Sequence, residues 1–106
     1  VYPIQIAFNL LPHIDQFEEN GYTREEMKLV WETQKILEDS QIKVNPTAIR
    51  VPVMVGHSEA IHIETRQKLT AADASTLLTN APGVVVKDTR KAGGYPSPLV
   101  DAAGHD

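Results

Sequence analysis

The sequence predicts an α+β domain, a mixed and largely antiparallel sheet with helices on one face. Two capping boxes, Thr23-x-x-Glu26 and Thr70-x-x-Asp73, each open a helix by satisfying orphan backbone N–H groups with a hydroxyl and a carboxylate. Between the helices, Ala48–Val55 is β-branched and mostly apolar, and Ala60–Thr65 alternates apolar with polar as a half-buried strand does. The resulting order, β-α-β-β-α-β, groups strands together and so favours a mixed sheet over a parallel one.

Taken in order, Val1–Phe8 reads as an incoming strand without an initiator Met ahead of it. A Pro-broken connection, Asn9–Asp15, leads to the turn signal Asn20-Gly21. Met27, Val30, Trp31 and Leu37 give most of an amphipathic stripe, which predicts a helix over 24–39. Asn45-Pro46 ends the following loop, and Pro52 suits an edge or a bulge in the next strand. The second helix is expected over 71–79, stopped by Asn80-Ala81-Pro82-Gly83, and Val84–Val86 is a last short strand. The stretch from Gly93 to Pro98 and the tail to Asp106 are loop-like. Both ends read as cut, so the chain is expected to be an interior piece of a larger protein.

Composition narrows the function classes. A chain of 106 residues is one domain's worth, and 42% apolar with 23% charged residues is ordinary for a globular protein. A formal charge of −4 argues against a nucleic-acid partner, since phosphate binding needs clustered Lys and Arg. No apolar run approaches the ~18 residues of a membrane span, so no membrane partner is expected. There is no cysteine, which removes disulfides, zinc–thiolate sites and thiol nucleophiles from this chain and is compatible with the cytoplasm.

Chemistry concentrates in two places. Arg50 is a planar, permanently charged fork suited to a carboxylate or phosphate, and His57 follows a glycine and can move a proton near neutral pH. Straight strand over the seven-residue step would part them by about 23 Å and turn them to opposite faces, so one shared substrate demands a bend, which Pro52 and Gly56 permit. A surface arginine and a loop histidine would look the same. Glu25, Lys28, Glu32 and Lys35 form a charged stripe on the first helix. It is either a solvated face or, at its N-terminal end, a polar ligand site with Glu25 for an ammonium and Lys28 for an anion. His62 with Glu64, and His13 with Asp15, have the spacing of a histidine–carboxylate metal site but no standard zinc pattern around them. His105, in the tail, has no assigned role.

Five blocks then align in order: Phe8-Asn9-x-x-Pro12-His13-Ile14-Asp15; Glu19-Asn20-Gly21-Tyr22-Thr23-x-Glu25-Glu26-Met27-Lys28; Glu32-Thr33-x-Lys35-Ile36-Leu37; Ile49-Arg50-Val51-Pro52-Val53; and Gly56-His57-Ser58-Glu59-Ala60. Together they closely resemble the aspartate-β-semialdehyde dehydrogenase family, with a weaker continuation through Ala81–Val84 and Tyr95-Pro96. The resemblance implies that residues 1–106 are part of a C-terminal catalytic and dimerisation domain, with a fold like that of the corresponding domain of glyceraldehyde-3-phosphate dehydrogenase. It implies an enzyme that reduces β-aspartyl phosphate to aspartate β-semialdehyde with NADPH, for lysine, threonine and methionine synthesis, through a cysteine acyl-enzyme.

By the same resemblance His57 is the acid/base, Arg50 grips the substrate's α-carboxylate, Glu25 takes its amino group and Lys28 the phosphate. The parent is expected to be a cytoplasmic homodimer or higher oligomer. The family's Asn-Cys nucleophile and the Gly-rich turn of its cofactor domain are absent, since Gly93-Gly94 carries no G-x-G-x-x-G spacing. The chain alone is therefore expected to be inactive, with NADP bound mostly elsewhere in the parent. Two rival readings are a self-associating interaction module without chemistry, and a reductase of the same fold acting on another acyl phosphate.

Overall fold

A computed structural model describes residues 2–104, which fall into two compact units, Val1–Pro52 and Val53–Asp106. Val1, the first residue of the expected opening strand, and His105 lie outside the described residues.

The first unit is organised around α1, Arg24–Ile36. Its capping box is complete: the Thr23 hydroxyl accepts from the Glu26 amide, and the Glu26 side chain accepts from the Thr23 amide. The helix ends three residues before the expected boundary at 39. Glu38 turns to φ 52°, its amide bonds the Lys35 carbonyl, and the Asp39 amide bonds the Gln34 carbonyl. This paired closure ends the helix in the left-handed conformation that glycine usually supplies, so the periodic pattern continues beyond the point where the backbone stops.

The chain then runs back along α1 in an extended path, tied at successive points. Gln34 Nε2 donates to the Ile42 carbonyl at 2.9 Å, the Tyr22 hydroxyl to Asn45 at 3.1 Å, and the Ala48 amide to Glu26 at 3.1 Å. The return ends at Arg50, which exchanges both backbone hydrogen bonds with Leu11 in an antiparallel bridge. A second bridge, Phe17 with Thr23, closes the turn through Gly21 that enters the helix. Leu11 is the buried apolar side chain and Thr23 the buried polar one among the described residues.

In the second unit α2 spans Ala71–Thr79, as expected, with its own capping box from Thr70 and Asp73 and a C-cap at Asn80. Beyond it Lys87 pairs with Asp101 at 2.9 Å. Residues 89–94 close a tight loop in which the Thr89 amide bonds the Gly94 carbonyl. A Cβ on Gly94 would land on the Thr89 carbonyl and hydroxyl oxygens, so only glycine fits there. A single π-type turn, Pro98–Ala102, completes the unit.

The predicted sheet is not formed among the described residues. The segments expected as strands, 2–8, 48–55, 60–65 and 84–86, carry no ladder, and the two bridges above are isolated. The reason lies in where each structure finds its hydrogen bonds. A helix pairs its backbone with itself, four residues away, whereas an extended segment points its N–H and C=O groups sideways and needs a second segment alongside. Ile61 and Ile63, which alternation assigns to a buried face, are 72% and 70% exposed.

Candidate active site

Glu25 and Lys28 sit on consecutive turns at the start of α1, where the capping box fixes the backbone. Lys28 Nζ lies 3.1 Å from Glu25 Oε2. Both side chains remain substantially exposed, at 44% and 39%, so the pair is the kind worth at most about 1 kcal/mol. Each partner can be exchanged for a ligand charge at small cost.

Arg50 is held differently. Its backbone is fixed on both sides by Leu11, and its guanidinium lies over the Tyr2 ring, 5.4 Å from the centroid. Among the described residues it meets no carboxylate. A fork of five donors held on an aromatic face can receive an anion.

Glu26 ties the two places together. Its Oε2 accepts from the Thr23 amide at 2.8 Å and the Thr23 hydroxyl at 2.9 Å, and its Oε1 accepts from the Ala48 amide at 3.1 Å. These bonds hold its carboxyl below the usual range, the Thr23 amide contributing most and the Ala48 amide next, against a small opposing effect of desolvation.

His57 belongs to the second unit and follows Gly56, whose φ is +77°. The chain thus takes a left-handed turn immediately before this histidine. A Cβ on Gly56 would come within 2.9 Å of the Ala102 Cβ, so the turn carrying His57 packs too closely on the Pro98–Ala102 turn for any other residue. His57 is exposed. The structure thus joins Glu25 to Lys28 and seats Arg50 on Tyr2.

Of the metal candidates, His13 stacks on Phe17 with ring centroids 4.4 Å apart. Among the described residues no three histidines and acids gather into a group that could hold a metal ion. Sequence reasoning missed Tyr2 and the second role of Glu26. The cap was legible, but the reach of its other oxygen to a backbone 22 residues away has no local signal.

Comparison with known proteins decides the lineage. The chain matches the family described as semialdehyde dehydrogenase, dimerisation domain, over residues 1–106. The chain belongs to this family. Among curated relatives it is 65% identical to an aspartate-semialdehyde dehydrogenase of Legionella pneumophila, over 100% of this chain and 30% of the relative. It is 50% identical to that of Aquifex aeolicus, over 99% of this chain and 31% of the relative. A crystal structure of aspartate semialdehyde dehydrogenase II from Vibrio cholerae, complexed with ASA, superposes with a TM-score of 0.93 at 48% identity, over 99% of this chain and 30% of that one. This semialdehyde dehydrogenase domain therefore spans about a third of the length of the relatives it matches.

Proposed function

We propose that this dimerisation domain supplies the substrate-gripping and proton-transfer half of an aspartate-semialdehyde dehydrogenase, an oxidoreductase that reductively dephosphorylates β-aspartyl phosphate to aspartate β-semialdehyde. The observation that carries the reading is Arg50: backbone locked to Leu11, guanidinium laid on Tyr2, and no acid beside it among the described residues. It binds the substrate α-carboxylate with its planar fork. Glu25 takes the amino group and Lys28 the phosphate, each giving up the other as partner. His57 takes the proton from a thiol as the thioester forms and phosphate leaves, and returns it to the sulfur as the reduced carbon departs as the aldehyde. That thiol comes from beyond these 106 residues, which contain no cysteine.

NADP supplies hydride in such a reaction. The paired glycines close onto Thr89 instead of opening a helix N-terminus, so no hydride step is assigned to this chain. The wider reading is a cytoplasmic enzyme of amino-acid biosynthesis, working as a homodimer. Its strand-like segments would find sheet partners in the remaining two-thirds of an enzyme of the relatives' length, giving the mixed sheet of a glyceraldehyde-3-phosphate dehydrogenase-like domain. Among the described residues, no helix is long and apolar enough to cross a membrane.

A second reading rests on the exposed apolar side chains of the second unit, among them Met54, Ile61 and Ile63: a module that self-associates without chemistry. Steady-state kinetics of the full-length enzyme separate the two. The dehydrogenase reading expects Arg50→Leu to raise KM for the amino-acid substrate and His57→Asn chiefly to lower kcat. Equal, small effects of both would favour the module.

A further inference from the structure

We propose that Glu26 is a positioning residue for substrate binding, holding the Arg50 segment in register with the helix end that presents Glu25 and Lys28. The inference rests on the dehydrogenase reading above and extends it to a residue that touches no substrate.

The geometry is that of a two-sided clamp. One carboxylate oxygen closes the capping box on Thr23, and the other receives the Ala48 amide, two residues before Arg50. A helix cap needs only the first contact. The α2 box shows this directly, because among the described residues the Asp73 side chain bonds only the amide and hydroxyl of its own cap, Thr70. Glu26 has one methylene more than an aspartate, and that reach lets it cap the helix and hold a second strand of chain at once. Two of the three groups it accepts from, the Thr23 and Ala48 amides, belong to the backbone, so the contact sets backbone position and not only a side-chain rotamer. Charge-assisted bonds of this kind are about twice as strong as neutral ones. The Leu11 bridge fixes Arg50 from one side, and the Glu26–Ala48 bond ties the same segment to α1.

A glutamine at this position has one acceptor oxygen and one donor amide. It can satisfy Thr23 or Ala48, but not both. Glu26→Gln therefore cuts the clamp while keeping size and helix propensity.

The test uses the full-length enzyme, with Glu26→Gln, Glu26→Ala, Asp73→Ala and Arg50→Leu compared for KM, kcat and melting temperature. The expected result is a KM for the amino-acid substrate raised by about tenfold in Glu26→Gln with kcat within about twofold, since the binding lost is shared by the ground and transition states. Asp73→Ala, which removes a cap of the same type, lowers the melting temperature and leaves KM unchanged. If Glu26→Ala does not fold, the glutamine variant still decides. A wild-type KM in Glu26→Gln alongside a raised KM in Arg50→Leu would overturn the proposal and leave the site intact. Asp73→Ala raising KM as much as Glu26→Gln would overturn it as well, because general loosening would then explain both. An unchanged KM in Arg50→Leu would remove the site reading itself.

Discussion

Leu11 and Arg50 exchange both of their backbone hydrogen bonds, at 3.1 and 2.9 Å, so the buried leucine is paired with the arginine that meets no acid among the described residues. On the proposed reading of Arg50, packing and binding are therefore linked through one backbone pair. The leucine anchors the segment by burial, and the bridge passes that anchoring to the residue whose side chain is left available.

Leu11→Ala should accordingly cost both stability and affinity. The expected loss is about 2–3 kcal/mol, near the low end for a buried leucine because it is the one apolar side chain buried among the described residues. Thermal unfolding of the full-length enzyme measures the first effect, and a raised KM for the amino-acid substrate the second. A fall in melting temperature with unaltered KM would show that Arg50 does not depend on the bridge.

The Glu26 carboxyl gives a pH signature. Its pKa is lowered by the Thr23 and Ala48 amides, so the folded state favours the ionised form more than the unfolded chain does. The stability it adds is fully present above the ordinary glutamate range, about 4.3, and is lost as pH falls through its lower folded value. The gap in stability between wild type and Glu26→Gln should be widest at neutral pH and should narrow in acid. A gap constant from pH 7 to pH 3 would deny the carboxylate this role.

Gly56→Ala tests the placement of His57. A left-handed φ of +77° and a Cβ only 2.9 Å from that of Ala102 make the substitution strained twice over, by about 1–3 kcal/mol from the backbone alone. Relief must come from moving the turn that carries the imidazole, so kcat should fall by at least about tenfold, given how steeply rates depend on ångström-scale placement. A variant with normal kcat would show that His57 is placed by something other than this turn.

Glu25 and Lys28 should separate by substrate. In the direction that consumes semialdehyde and inorganic phosphate, Lys28→Met should raise KM for phosphate, and Glu25→Gln KM for the semialdehyde, each by several-fold, as expected for exposed charges. If the two variants affected both substrates alike, the pair would be a surface ion pair and nothing more.

The 106-residue chain by itself should give no turnover with NADPH and substrate, having neither a thiol nor a Gly-rich phosphate turn. Measurable NADPH oxidation by the pure chain would refute the division of labour argued above.

Two helices, their starting residues and a glycine-permitted turn before His57 were legible in the chain of residues alone. Each depends on groups within a few residues of one another: Thr23 with Glu26, Thr70 with Asp73, and the left-handed turn at Gly56. The block motifs likewise marked the family and the residues of the proposed site, because they are local strings. What those residues touch depends on how distant segments come together in the folded chain. Nothing near Arg50 in sequence foretells Leu11 at its backbone or Tyr2 beneath its guanidinium, and nothing near Glu26 foretells Ala48. The strand-like segments mark the same boundary. Their alternation records a preference for a buried, pleated setting, but a strand is completed by the backbone beside it, and a pattern along one segment cannot supply that partner.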